Sequence, residues 1–208
     1  MDFDNKIKCQ LQNYLYIQGI IPNKTVWHPQ AGGRTNKVWR LLGEVNLICK
    51  LYSITKNNPL FNNTPEAEYR CLLLLDGSNI APKPYKYLKT PFGEVLLYDY
   101  IDGQTWSEDV VVVSELLSRI RRHKYPKKLR RISGLPSDIK KAGFKIINTL
   151  NNKHKNMLFN ICPNVSISDI EPVFLHTDTV PGNLILGSNG LRLIDWQCPA
   201  IGDPIMDI

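Results

Sequence analysis

Short stretches in which apolar and polar positions alternate dominate the first half of the chain. Thr25–His28, Lys37–Leu42 and Val45–Tyr52 read as strands, with Gly43-Glu44 as the tight turn between the last two. Lys56–Thr64, with its Asn residues and a Pro, reads as a loop. Pro65 then opens a predicted helix over Glu66–Leu75, because a missing N–H costs nothing in a first helical turn, and Gly77 ends it. Tyr85–Lys89 and Glu94–Tyr100 are two more predicted strands, flanking the turn Thr90-Pro91-Phe92-Gly93. After Asp102-Gly103 the pattern changes. Ser107–Lys124 and Asp138–Leu158 read as helices, and Asp109–Leu117 carries a Val-rich face suited to burial. Towards the end, Val173–Leu175 and Leu184–Leu186 are short apolar runs, and Gly187-Ser188-Asn189-Gly190 turns the chain into Leu191–Trp196. The expected architecture is α+β: a strand-rich first part with one helix, then a mostly helical part holding a small hairpin, meeting near residues 100–105.

Composition narrows the class. A chain of 208 residues with 43% apolar content can bury a real core, and its 22% charged residues exclude a disordered composition. No apolar run approaches a membrane span, and the N-terminus has acids where a signal peptide carries positive charge. The five cysteines, Cys9, Cys49, Cys71, Cys162 and Cys198, are scattered without a CxxC pair, which argues against a disulfide framework or structural zinc. Cys49 and Cys71 read as small core residues, and Trp27, Trp39, Trp106 and Trp196 as core or hinge packing. The expectation is a cytoplasmic protein. Its net charge of +7 is local: 26 Lys/Arg face 19 Asp/Glu, but eight of the bases lie between Arg119 and Arg131, and without them the balance is 18 to 19. Those bases read as a solvated helix end and loop. A nucleic-acid surface is the functional alternative, but no nucleic-acid motif accompanies them.

The chemistry concentrates in His176-Thr-Asp178-Thr-Val-Pro-Gly-Asn183 and Ile194-Asp195-Trp196. Asp178 and Asn183 lie on a polar loop, and Asp195 is expected at the end of a hydrophobic strand delivered to the same neighbourhood. Two carboxylates and an amide oxygen are hard ligands of the kind magnesium prefers, and a carboxylate left free of metal can take a proton from a hydroxyl. The plain alternative is Asx turns and a strand end. Upstream, Gly32-Gly33 can let backbone N–H groups approach a phosphate, Lys50 sits within an apolar strand, and Glu68 follows 18 residues later on a helix. Each alone reads as a turn, a solvated face or a surface acid. Their order, from glycine loop through lysine, glutamate and Asp…Asn loop to a final Asp, is the one a kinase-like phosphotransferase needs.

At these residues the sequence resembles the choline kinase and aminoglycoside phosphotransferase family, whose HxDxxxxN and IDW/IDF signatures match His176–Asn183 and Ile194–Trp196. Gly32-Gly33-Arg-Thr35-Asn36-Lys, Ala81-Pro82-Lys-Pro84 and Tyr98–Gly103 are similar to further segments of it, so the likeness runs from about residue 28 to 208. The resemblance implies a protein-kinase-like two-lobe fold, with a nucleotide-binding lobe over residues 1–101 and a catalytic lobe over 102–208. It also implies ATP- and magnesium-dependent transfer of the γ-phosphoryl group to a small-molecule hydroxyl. Asp178 matches the catalytic base, Asn183 and Asp195 the magnesium ligands, Lys50 the phosphate-binding lysine and Glu68 its partner, with Glu66 the rival. Gly32, Gly33, Thr35 and Asn36 match the nucleotide loop, and the backbone of Asp99, Tyr100 and Ile101 the adenine hinge. His176 orders the catalytic loop and Asp207 supports it.

Two departures stand out. Gln197 occupies a position where many members have glutamate, and members usually continue beyond the equivalent of Ile208 through helices that build the acceptor pocket. The acceptor expected is a choline-like amino alcohol or an aminoglycoside. A catalytically silent nucleotide-binding module, or a nucleic-acid-binding protein using 119–131, are the rival functions.

Overall fold

The two central strands of a five-stranded N-terminal sheet bury both of their faces, which is why Leu47–Leu51 and Val95–Tyr98 read as almost unbroken apolar runs, while the outer strands keep exposed positions. The computed structural model describes residues 3–30, 35–53, 62–106, 109–133, 136–148, 155, 157 and 170–207. Strands β1 (Val26–Pro29), β2 (Lys37–Leu42), β3 (Asn46–Leu51), β4 (Pro84–Thr90) and β5 (Gly93–Asp99) form an antiparallel sheet in the order β1-β2-β3-β5-β4. Side chains alternate between faces along a strand. Leu47, Cys49 and Leu51 of β3, with Val95 and Leu97 of β5, enter one core, while Ile48 of β3 and Leu96 and Tyr98 of β5 enter another. Lys50 shares the parity of Ile48 and is paired in register with Leu96.

The first core is closed by a helix the strand reading omits. Helix α1 (Phe3–Ile17) places Ile7, Leu11 and Leu15 at spacings of four, one stripe of a helix, and Leu11 and Leu15 pack against Trp27, Trp39, Leu41 and Cys49. The strand-rich first half therefore holds two helices, not one.

The second core lies on the opposite face. Helix α2 (Pro65–Leu75) buries Glu68, Cys71, Leu72 and Leu75, one face at spacings of three and four. Helix α3 (Val110–Arg122) is capped by Asp109, whose carboxylate accepts from the N–H groups of Val111 (2.9 Å) and Val112 (3.3 Å). The expected Val-rich buried face is only partly realised. Val110 and Val111 are exposed, Val112 and Val113 pack partly, and Leu116, Leu117 and Ile120 carry the burial. The stripe starts one turn later because the first turn of the helix projects beyond the core it meets.

Strand β6 (Gln104–Thr105) pairs with β9 (Leu184–Gly187), which forms the expected hairpin with β10 (Gly190–Leu193). A second small sheet joins β7 (Arg130–Ile132), β11 (Ala200–Gly202) and β8 (Val173–Leu175). Helix α4 (Pro136–Ile147) occupies the start of the predicted 138–158 helix, and most of the remainder of that span lies outside the described residues. Buried Trp196 packs on Phe174 and edge-on against His176, with ring centroids 5.4 and 4.6 Å away, so one side chain seals the loop after β8 to the segment after β10. No described helix is long and apolar enough to cross a membrane.

Candidate active site

Lys50 is 2% exposed, an environment that no lysine tolerates without partners. Its Nζ donates to Glu68 Oε2 at 2.7 Å and also to Asp195 Oδ1, while the phenolic O–H of Tyr52 donates to the same Glu68 oxygen. Burial alone would lower the lysine pKa, but the two carboxylates outweigh it and the net shift is upward, so the side chain is an ammonium. Of the two candidate partners, Glu68 meets Lys50. Glu66 faces outward and pairs with Arg70 one turn along. The stripe containing Cys71, Leu72 and Leu75 accounts for this, since it includes position 68 and leaves out 66.

Asp195 lies two residues past the end of β10, not on the strand, and its φ of 66° is left-handed. This turn takes its carboxylate out of the strand direction and leaves the side chain 30% exposed beside Lys50. The Ile194 N–H donates to the Asn183 carbonyl at 2.9 Å, which ties the Asp195 segment to the 3₁₀ turn Pro181–Asn183. Asn183 Nδ2 donates to Asp178 at both its carbonyl oxygen (2.9 Å) and Oδ2 (3.1 Å), so the amide oxygen is turned away from Asp178. Burial raises the Asp178 carboxyl pKa and the charge of Asp195 adds to that, while Asn183 and Lys50 oppose it.

The loop bearing Asp178 is fixed from behind. Asp207, buried in a short 3₁₀ turn (Pro204–Asp207), accepts the N–H groups of His176 (3.0 Å) and Thr177 (2.5 Å). Thr177 is left-handed at φ 70°, unusual for a β-branched residue, and its hydroxyl donates to the Cys198 carbonyl at 2.7 Å. His176 Nδ1 accepts from the Asp178 N–H at 3.2 Å, so the ring proton sits on Nε2, which donates to the Ile194 carbonyl at 3.0 Å. The imidazole is fully buried, and burial pulls its pKa from 6.5 down to about 4. Both ring nitrogens are therefore engaged and neutral, which suits an ordering role and not that of a base. The unfolded chain takes up this proton at higher pH than the folded one, so the His176 contribution to stability is complete above about pH 6.5 and lost as pH falls towards 4. Nitrogen-15 NMR of the ring is expected to find the Nε2–H tautomer, uncharged, down to about pH 5; titration near 6.5 would contradict this arrangement.

The other expected site residues are distributed unevenly. Gly32 and Gly33 lie outside the described residues, and Thr35 is half-buried at the edge of that segment. Asn36 is buried and surrounded by other polar side chains: Nδ2 donates to Asn63 Oδ1 (2.8 Å) and Gln197 Oε1 (2.6 Å), and Oδ1 accepts from the Ser53 N–H (3.1 Å). In the segment expected to receive the adenine, the N–H groups of Asp99 and Tyr100 donate to the carbonyls of Lys83 and Asn46, Ile101 is buried, and the Arg40 guanidinium stacks 3.6 Å above the Tyr100 ring. Tyr52, Asn63 and Thr177 are participants that the sequence reading missed. Tyr52 alone had a signal, since it stands two residues from Lys50 on the same strand face.

The basic segment is partly used within the protein. Arg119 donates to the Ser78 carbonyl, Arg121 to the Pro204 carbonyl at 3.1 Å and Arg122 to Ser118 Oγ at 3.0 Å, and Arg130 is half-buried in β7. Arg119, Arg121 and Arg122 also occupy the last turn of α3, where the helix dipole favours cations.

Residues 147–208, which contain His176, Asp178, Asn183, Asp195 and Asp207, match the phosphotransferase enzyme family. A thiamine kinase from Escherichia coli O1:K1 is 28% identical over 154 residues, spanning 68% of this chain and 50% of that protein. A thiamine kinase from Shigella boydii serotype 4 aligns to the same extent. The chain thus spans about half the length of the curated relatives it matches. Among solved structures, macrolide 2'-phosphotransferase MphH from Brachybacterium faecium superposes with a TM-score of 0.62 at 12% identity, over 95% of this chain and 74% of that one. Choline kinase from Cryptosporidium parvum Iowa II gives 0.60 at 17% identity, over 97% and 66%. APH(2")-IIa, solved with streptomycin and ATP, gives 0.63 at 14%, over 100% and 76%. The fold is therefore kinase-like, with its antiparallel sheet N-terminal.

Proposed function

We propose that this chain carries the nucleotide-binding and catalytic machinery of a small-molecule kinase, which transfers the γ-phosphoryl group of ATP, with magnesium, to a hydroxyl. The observation that carries this reading is the buried Lys50 ammonium held between Glu68 and Asp195, two residues from distant parts of the chain. A surface-solvated lysine needs neither partner, whereas a phosphate-binding lysine needs one carboxylate to aim it and another beside it to hold the metal.

The donor set fits magnesium. Among the described residues no group of three or more His, Cys, Asp and Glu stands close enough to hold a metal ion. A partly exposed carboxylate at Asp195 and the amide oxygen of Asn183 are the sparse hard-oxygen set that suits an ion retaining waters and substrate phosphates. Bound there, magnesium would supply neutralisation of phosphate charge. Lys50 would add its own charge to the same phosphates, and Asp178, its basicity raised by burial, would orient the acceptor hydroxyl and take its proton. The residues of the 1–101 lobe bind the nucleotide and those of 102–208 bear Asp178, Asn183 and Asp195, with Asp99–Ile101 receiving the base. The acceptor is a small cationic alcohol of the choline, thiamine or aminoglycoside type, the class named in the relatives and structural neighbours, and the reaction takes place in the cytoplasm.

Calorimetric titration with ATP tests this. The chain is expected to bind ATP in the presence of magnesium, and Asp195→Ala to bind it no better with magnesium than without. Equal magnesium-dependent binding by wild type and Asp195→Ala would overturn the metal assignment. Binding without ATP consumption across amino alcohols, thiamine and aminoglycosides would instead make the chain a nucleotide-binding module.

A further inference from the structure

Three carboxamides meet where the β2 end of the sheet, the start of α2 and the segment after Asp195 come together. The Asn36 side chain, 6% exposed, donates both Nδ2 hydrogens, to Gln197 Oε1 (2.6 Å) and Asn63 Oδ1 (2.8 Å). Its Oδ1 accepts from the Ser53 N–H (3.1 Å) and Asn63 Nδ2 (2.7 Å). All four of its hydrogen-bonding positions are filled by protein, which is the arrangement of a fixed joint and not of a residue reaching for a ligand. Gln197 has a second attachment: its carbonyl accepts the Thr64 N–H at 3.0 Å. Thr64 is the N-cap residue of α2, whose side chain makes no capping bond. One residue thus holds β2 through its side chain and α2 through its backbone.

Its place in the chain gives this joint a purpose. Gln197 follows Asp195 by two residues, and Glu68 lies one turn into the helix that Gln197 tethers. Between them, β3 supplies Lys50, which is bonded to both carboxylates. Asp195 is left-handed, so its local backbone does not by itself favour the orientation it holds. Trp196 fixes it on one side by burial, and the carboxamide joint is what fixes it on the other.

We propose that Gln197 is a positioning residue for the phosphoryl-transfer site: its joint with Asn36 and Asn63 sets the distance of the Asp195 carboxylate from β2 and α2, and so tunes the magnesium-dependent part of nucleotide binding. This rests on the kinase reading above. A carboxamide accepts from Asn36 without adding a charge beside Asp195, whereas a glutamate there accepts equally well but adds one. The required property is the acceptor.

The test compares ATP affinity with magnesium and with EDTA for the 208-residue chain and its variants. Gln197→Met keeps side-chain length and removes the acceptor. It is expected to lose about tenfold in the affinity gained from magnesium, the scale of one hydrogen bond, while affinity in EDTA stays within about twofold. Gln197→Glu restores the acceptor and is expected to recover most of that loss. A general loss of structure would lower both affinities together and would not be rescued by glutamate. Should Gln197→Met fail to fold, Asn63→Ala disconnects the same joint from its half-buried third member and is read the same way. An unchanged magnesium gain in the folded variant overturns the proposal, as does loss in both conditions alike. Absence of ATP binding by the wild-type chain overturns the kinase reading itself, and is distinguished from the other outcomes in the first titration.

Discussion

Replacing Lys50 with alanine is expected to destabilise the chain by about 3–5 kcal/mol, the cost of stranding a buried charge. Replacing Glu68 with glutamine is expected to cost less, about 1–3 kcal/mol. The asymmetry follows from the partner count. Lys50 is bonded to Glu68 and Asp195, so losing Glu68 leaves the ammonium one carboxylate. Glu68 is 1% exposed and has Lys50 as its cation with Tyr52 as a neutral donor, so losing Lys50 leaves a buried acid with a phenol alone. Urea denaturation at constant slope measures both values. Equal losses would mean that the Asp195 contact contributes nothing to holding the lysine. Neither variant is expected to retain magnesium-dependent ATP binding at wild-type affinity.

Asp178→Asn is expected to lower phosphoryl transfer to an alcohol by about 10²–10⁴-fold while leaving ATP affinity within about twofold. The structure separates these two quantities. Asp178 is bonded to Asn183 and the His176 ring, and Lys50 donates to Asp195 and Glu68, so the lysine does not depend on Asp178 for its position. The Asn183 Nδ2 contact to Oδ2 can be kept by the new amide oxygen, which preserves loop geometry while removing the base. Single-turnover measurement gives the rate and titration gives the affinity. A parallel fall in both would place Asp178 among the nucleotide ligands.

Several of these relationships were legible in the chain. Lys50 with Ile48 and Tyr52, and Glu68 with Cys71, Leu72 and Leu75, fall on single faces by simple periodicity, and the order of glycines, lysine, glutamate and Asp…Asn…Asp matched a phosphotransfer site. Helix α1 is hard to read because its stripe of Ile7, Leu11 and Leu15 is thin and four of the six positions between are Lys, Gln or Asn, so its helicity is decided by docking on the sheet. Asn63 could not be found from sequence at all. It sits in an Asn-rich loop where nothing local separates a solvent-facing amide from one aimed at Asn36, 27 positions earlier in the chain. Left-handed backbone at Thr177 is similarly invisible, because a β-branched residue argues against it and tertiary bonds impose it, while aspartate at 195 only tolerates it.

That backbone shape sets the two positions apart under selection. At Thr177 the strained conformation is offset by a hydroxyl bond to Cys198, and glycine would relax the main chain while giving up that bond, so relief and loss nearly oppose each other. At Asp195 glycine would relax the main chain too, and the same exchange removes the carboxylate facing Lys50. That carboxylate is one of two counter-ions of a buried ammonium, so its loss costs more than the relaxed main chain returns, and even a population screened only for heat resistance would refuse glycine at 195. The same backbone shape is thus nearly neutral to a glycine at 177 and closed to one at 195, because only the second side chain answers a buried charge.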